Sequence, residues 1–122
     1  VSDYEALGGH DGVTRLVEAY VDRFFADFII GYLFEGRDRA RIVTHEVEFA
    51  AAHLGGPKDY TGRPIDAAHQ PLRINRGHFR RRLAILRTVL NEHGVDSELV
   101  DRWVAFEQRL EAAIVDGTDC AP

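Results

Sequence analysis

DRARIVTHEVEFAAAHLGGP, residues Asp38 to Pro57, is the stretch from which the fold class is read. Val43, Val47, Ala50 and Leu54 recur at helical spacing, and Gly55-Gly56-Pro57 then supplies both usual stop signals, so a helix is expected from about Asp38 to Leu54. Beside that core stripe runs a second one, Ile42, His45, Glu46, Phe49 and His53, which mixes two apolar residues with three ionisable ones. On spacing alone the mixture reads as the solvated flank of an amphipathic helix, though an odd one.

Toward the N-terminus, Ser2 and Glu5 have capping-box spacing before Leu7, and Gly8-Gly9 stops the very short helix they start, residues 2–7. After an Asp11 cap, Val13, Leu16, Val17, Tyr20, Val21, Phe24 and Phe25 keep helical spacing for three turns. Phe28 to Phe34 is apolar, broken by Gly31 and too short to pack as a helix, which suits a buried connector with a 3₁₀ turn.

Toward the C-terminus, Pro64 is placed to open a short fourth helix on which Ile65, Ala68, His69 and Leu72 share one face, with Pro71 limiting its length. An Asn75 cap begins a fifth helix carrying Phe79, Leu83, Leu86, Val89 and Leu90, closed by Gly94. Ser97 caps a sixth with the stripe Val100, Trp103, Phe106, Leu110, Ala113 and Ile114, and a frayed tail is expected from about 117. No strand pattern, repeat or linker interrupts this series. The expectation is one all-α domain, 1–122, of five or six helices around one core.

Composition agrees with a single globular domain. The 122 residues are 45% hydrophobic and 29% charged, and mean hydropathy is −0.24, values that disfavour both disorder and membrane insertion. Lys+Arg 15 against Asp+Glu 20 gives a formal charge of −5, so binding dominated by nucleic-acid phosphates is not expected, and no membrane partner is either. The single Cys120 cannot form an internal disulfide or a cysteine-based zinc site, and no signal-like segment opens the sequence; both favour the cytoplasm.

Phosphate-binding loops, metalloprotease, hydrolase-elbow and calcium-loop motifs are all missing, as is the covalent haem motif CxxCH. Six histidines remain, at 10, 45, 53, 69, 78 and 93, and a neutral imidazole near pH 7 is a usable metal ligand. His69, on the apolar face of a helix bracketed by prolines, is by spacing either a core histidine satisfied by one carbonyl or an iron ligand aimed by that same bond. The arginines at 73, 76, 80, 81, 82 and 87 read as a solvated face opposite Phe79, Leu83 and Leu86 and receive no site.

Three segments in order then carry a family resemblance: YEALGG at Tyr4 to Gly9, EFAAAHLGGPKDYTGRP at Glu48 to Pro64, and AAHQPLRINRGHF at Ala67 to Phe79. Together they resemble the group I truncated haemoglobins over nearly the whole chain. The resemblance implies a two-over-two helical sandwich around one b-type haem held without covalent attachment. By it His69 looks like the proximal iron ligand, Phe34 matches the aromatic that packs flat on the porphyrin, and Ile42, Phe49, Leu54, Ile65, Leu72 and Phe79 match apolar wall positions. Such walls are sensible because a flat macrocycle removes large apolar faces from water at about 25 cal/mol per Å². Lys58, Tyr60 and Arg63 are candidates for the propionates by closeness in sequence.

The distal positions depart from the family's oxygen-binding pattern. Where Tyr and Gln are usual, this chain has Val21 and Glu46, and Tyr20 stands one residue too early, about 100° around the helix. His45 falls where hexacoordinate members place a distal histidine on iron. The sequence leaves Glu46 protonated, paired with His45 or an arginine, or turned to the rim. The resemblance implies binding of O₂, NO or CO at a histidine-ligated iron, in oxygen binding or NO detoxification. NO dioxygenation is an enzymatic option that needs an unidentified electron donor. Two alternatives are a bis-histidyl electron-transfer centre and a haem-free interaction or sensor module with the globin fold.

Overall fold

The structure, a computed structural model, describes residues 1–59, 61 and 73–115. Helices occur in the order α1 (Asp3–Ala6), α2 (Gly9–Ala26), a 3₁₀ turn (Gly31–Phe34), α3 (Arg39–His53), α4 (Arg76–Glu92), α5 (Ser97–Gln108) and α6 (Glu111–Ile114), and no strand occurs among the described residues. The expected fourth helix from Pro64 and the tail from about 117 lie outside them.

The start of α2 differs from the Asp11 cap expected from sequence. The helix begins at Gly9 with Gly8 as N-cap at φ 98°, a left-handed conformation that glycine adopts without a Cβ clash. One turn on, a Cβ at Gly12 would lie 1.7 Å from the Leu7 carbonyl oxygen, so the α1–α2 corner closes only over a hydrogen at that position. From there Val13, Leu16, Val17, Tyr20, Val21 and Phe24 are buried at helical intervals. The Tyr4 N–H donates to the Leu54 carbonyl at 2.9 Å, tying the N-terminal segment to the end of α3.

Asp38 caps α3 by accepting from the Arg41 N–H at 3.2 Å, and Asn75 and His78 form a reciprocal capping box on α4. Two sequence expectations at the C-terminal side change. Asp96, not Ser97, caps α5, its carboxylate accepting from the Glu98 N–H at 3.2 Å. The stripe expected to run unbroken from Val100 to Ile114 is divided at Arg109 and Leu110, after which α6 turns Ile114 inward to 5% exposure.

α2 packs on α3 and on α4, and α4 packs in turn on α5, which gives two helix pairs laid one on the other. Trp103, Phe79, Leu86, Leu90 and Val100 fill the space between them. The connector after α2 is fixed by Asp27, whose carboxylate accepts from the Ile29 and Ile30 N–H groups at 3.1 Å and pairs with Arg81 at 2.6 Å. The Arg81 hydrogen bond, helped by those two N–H groups against the cost of burial, holds the Asp27 carboxyl below its usual range. No helix among the described residues is long and apolar enough to cross a membrane.

Candidate functional site

Between the two helix pairs opens a cavity of about 560 Å³, within the range of small-molecule and cofactor sites. Phe24 of α2, Ile30 and Phe34 of the connector, Ile42 of α3, Ile74 and Phe79 at the start of α4, and Ile114 of α6 supply its apolar wall. His45 and Glu46 of α3, His78 and Arg82 of α4, and Arg37, Asp38 and Arg41 at the entry to α3 supply its polar groups. The mixed stripe of α3 is therefore a cavity wall at Ile42, His45 and Glu46, not a solvated flank.

Of the residues singled out in the sequence, the cavity brings together Phe34, Ile42, His45, Glu46 and Phe79. Phe49 meets His53 edge-on and Phe106 at a tilt, and Leu54 lines a smaller cavity of about 280 Å³ beside Trp103; neither is among the lining residues of the larger one. Lys58 donates from Nζ to the Ala52 carbonyl at 3.1 Å and is not a lining residue either. Tyr60, Arg63, Ile65, His69 and Leu72 lie outside the described residues. Nearby, the Thr61 N–H and hydroxyl bond Glu48, at 2.9 and 2.8 Å to Oε1, which fastens that point of the loop to α3.

Val21 is fully buried in the core without lining the cavity. Tyr20 is also fully buried and is not a lining residue, yet its hydroxyl donates to Glu46 Oε1 at 3.3 Å. The same oxygen accepts from Arg82 Nη2 at 3.1 Å, so among the alternatives left by the sequence Glu46 is the one paired with an arginine. Arg82 also donates to Glu107 Oε1, from Nη2 at 2.9 Å and Nε at 3.2 Å, and Glu107 Oε2 accepts from the Trp103 indole N–H at 2.9 Å.

Tyr20, Trp103 and Glu107 of this five-residue network are buried and Glu46 and Arg82 half-buried, and its electrostatics follow from that. Burial would lower the Arg82 pKa, but Glu46 and Glu107 outweigh it and push it up. Burial raises the Glu107 carboxyl, against the pull of Arg82, and raises the Tyr20 phenol well above its usual range with Glu46 adding to the effect. Removing the one cation would strand two carboxylates in low dielectric.

Reading the arginines as a solvated face holds for Arg80 and Arg87, which are exposed, and fails for Arg82. The signal was present, since Arg82 stands three residues after Phe79 and four before Leu86 and so shares their face. Glu107, 2% exposed, sits four residues after Trp103 and three before Leu110 in the same manner. His78 likewise has no role assignable from the sequence. Its Nδ1 accepts the Asn75 N–H at 3.3 Å, which leaves Nε2 as the protonated nitrogen, donating to the Tyr32 hydroxyl at 3.1 Å.

At the far end of the stripe His53 stacks on Phe106, with ring centroids 4.2 Å apart and planes 15° apart, and meets Trp103 edge-on. Its Nε2 is buried without a hydrogen-bond partner among the described residues, and burial lowers its pKa to about 4.

Comparison with known proteins gives one family throughout. The bacterial-like globin family matches residues 2–116. The group 1 truncated hemoglobin GlbN of Mycolicibacterium paratuberculosis is 38% identical over 116 residues, which span 95% of this chain and 85% of that protein. The crystal structure of Tetrahymena pyriformis truncated hemoglobin in its Fe(III) form superposes with a TM-score of 0.88 at 23% identity, over 94% of this chain and 98% of the other. That of the 2/2 hemoglobin of Synechococcus sp. PCC 7002, in the cyanomet state with covalently attached heme, gives 0.86 at 29% identity, over 93% and 98%.

Proposed function

Because this chain belongs to the bacterial-like globin family, which carries haem and gas ligands, we propose that it binds one b-type haem in the cavity between its helix pairs and takes O₂, NO or CO at the iron. The observation that carries this reading is the apolar cavity walled by Phe34, Ile42 and Phe79 with an imidazole, His45, on one side.

The residues present suit that group. Among the described residues no cluster of three or more His, Cys, Asp and Glu stands ready to hold a free metal ion. Single imidazoles on an apolar wall fit an iron whose other donors come from a macrocycle. His69 is proposed as the proximal ligand on the strength of the motif that contains it. Arg37 and Arg41, exposed at the cavity entry, join Lys58, Tyr60 and Arg63 as candidates for the propionates. When bound, the haem supplies an iron centre that accepts a diatomic molecule.

Around that centre the chain's own residues set the conditions. Val21 places no hydroxyl at the usual tyrosine position, and the Tyr20 hydroxyl is committed to Glu46. The family's usual hydrogen-bond pair for retaining O₂ is therefore missing. His45 is proposed as a distal iron ligand that must leave before an external molecule binds; Glu46, held by Arg82 and Tyr20, is proposed as a modulator and not a ligand. A second reading, favoured by His45 on the wall, is a bis-histidyl electron-transfer centre; NO dioxygenation would require an external electron donor. The proposed attachment is non-covalent, unlike that of the Synechococcus neighbour, and acid-acetone extraction separates the two.

Ferric and ferrous absorption spectra test these assignments. A six-coordinate low-spin spectrum is expected in both states, with His45→Ala giving a high-spin ferric centre and faster CO capture. His69→Ala should abolish haem uptake or leave it weak and rescuable by free imidazole. A five-coordinate ferrous wild type would remove His45 from the iron, and unchanged uptake by His69→Ala would remove His69.

A further inference from the structure

Arg82 holds more donors than its partners use. Of the five guanidinium N–H groups, Nε–H points to Glu107 and both Nη2 hydrogens go to Glu46 and Glu107, whereas the two on Nη1 make no hydrogen bond among the described residues. The guanidinium is also fixed in orientation, with its carbon 4.8 Å from the centroid of the Phe24 ring, and both residues line the cavity. Other donors nearby are engaged, assigned or at the edge: the Tyr20 hydroxyl is taken by Glu46, His78 Nε2 by Tyr32, His45 is the proposed iron ligand, and Arg37 and Arg41 are exposed.

We propose that Arg82 is the cavity's hydrogen-bond donor to a small bound ligand with an acceptor atom, and so determines which ligands the site retains. The proposal rests on the haem reading above. Glu46 and Glu107 offset the charge of Arg82, so what remains for a ligand is a pair of directed N–H donors. Their pull is felt by azide or dioxygen, which carry an acceptor atom, and much less by carbon monoxide. Two carboxylates and an aromatic ring hold the group before any ligand arrives, and little ordering is then required on binding.

The test uses haem-loaded protein as wild type, as Arg82→Lys, and as the combined Arg82→Met, Glu46→Leu, Glu107→Gln variant, which strands no carboxylate if the lysine variant folds poorly and adds no amide donor at the cavity wall. Azide affinity of the ferric form and CO affinity of the ferrous form are measured on each. A histidine gate at the iron weakens the two affinities by factors that differ with oxidation state but are common to wild type and variants, so the change in their ratio on substitution isolates Arg82. Azide affinity is expected to fall about tenfold or more in the Arg82 variants while CO affinity stays within about twofold. The infrared stretch of bound CO should rise in frequency once the donor is gone. Azide and CO affinities that fall together, or a ratio and stretch unchanged from wild type, would overturn the proposal. A wild-type chain that takes up no haem overturns the functional reading itself, and this one with it.

Discussion

Glu46 and His53 stand two turns apart on one stripe of α3, and each brings an ionisable group into apolar surroundings. Glu46 meets a cation, Arg82, which is shared with Glu107 and backed by the Tyr20 hydroxyl. His53 meets Phe106 and Trp103 and gives up its proton, its pKa lowered to about 4 by burial. The difference shows two ways of keeping a polar residue inside a small helical domain. A carboxylate is kept by pairing and a histidine by neutrality.

The comparison breaks hardest at Arg82. Arg82→Met should lower stability by about 3–5 kcal/mol, because Glu46 and Glu107 both lose their cation. Adding Glu46→Gln and Glu107→Gln should return most of that loss, as measured by urea unfolding at neutral pH. If the single variant is as stable as the wild type, the network is not a buried ion cluster.

His53 tests the other arm through pH. In the unfolded chain it takes a proton near its ordinary value of 6.5, but in the folded chain only near 4, so between these values the unfolded state binds more protons. Its contribution is complete above about 6.5 and is lost as the pH falls toward about 4, amounting to at most about 3 kcal/mol. His53→Phe, which keeps a ring against Phe106, should remove that part of the pH dependence. Parallel stability profiles for wild type and variant over this window would contradict the assignment.

Smaller effects follow where one partner is kept. Glu46→Gln leaves Arg82 with Glu107 and still offers Tyr20 an amide oxygen, so a loss of about 1–2 kcal/mol is expected. Arg87→Ala removes only an exposed pair with Asp101 and should cost less than about 0.5 kcal/mol. A larger effect at Arg87 than at Glu46 would reverse the ordering by burial on which the comparison stands.

How much of this the sequence made legible depended on whether period or side-chain reach carried the information. α2, α3 and α4 are legible because their apolar positions recur at 3.6 residues over several turns, and the 3₁₀ turn because Gly31 interrupts an apolar run too short to pack; the run is not the buried connector expected, since Phe28, Ile29 and Tyr32 are exposed and only Ile30 is buried. The Ser2 and Asn75 caps stand where the sequence places them, whereas the cap of α2 lies three residues before Asp11 and that of α5 one before Ser97. Gly8 begins α2 through its backbone conformation, and Asp96 reaches past Ser97 to the Glu98 N–H. Tyr20 is expected at the distal pocket, one residue before the usual tyrosine position, and does not line the cavity; its length lets the hydroxyl reach Glu46 all the same. Arg82 and Glu107 do not stand out in the sequence, because a charge pattern marks residue type but not the partner that makes burial tolerable.

The central claim is that this chain holds one haem through His69. Haem titrated into the haem-free protein, followed by absorbance and by fluorescence of the single tryptophan, Trp103, tests it most directly. The account predicts that the visible absorbance rise and the Trp103 quenching both end at one equivalent, and that His69→Ala shows no such end point. A wild-type titration without saturation, or a His69→Ala protein that saturates at one equivalent as tightly as the wild type, would contradict it.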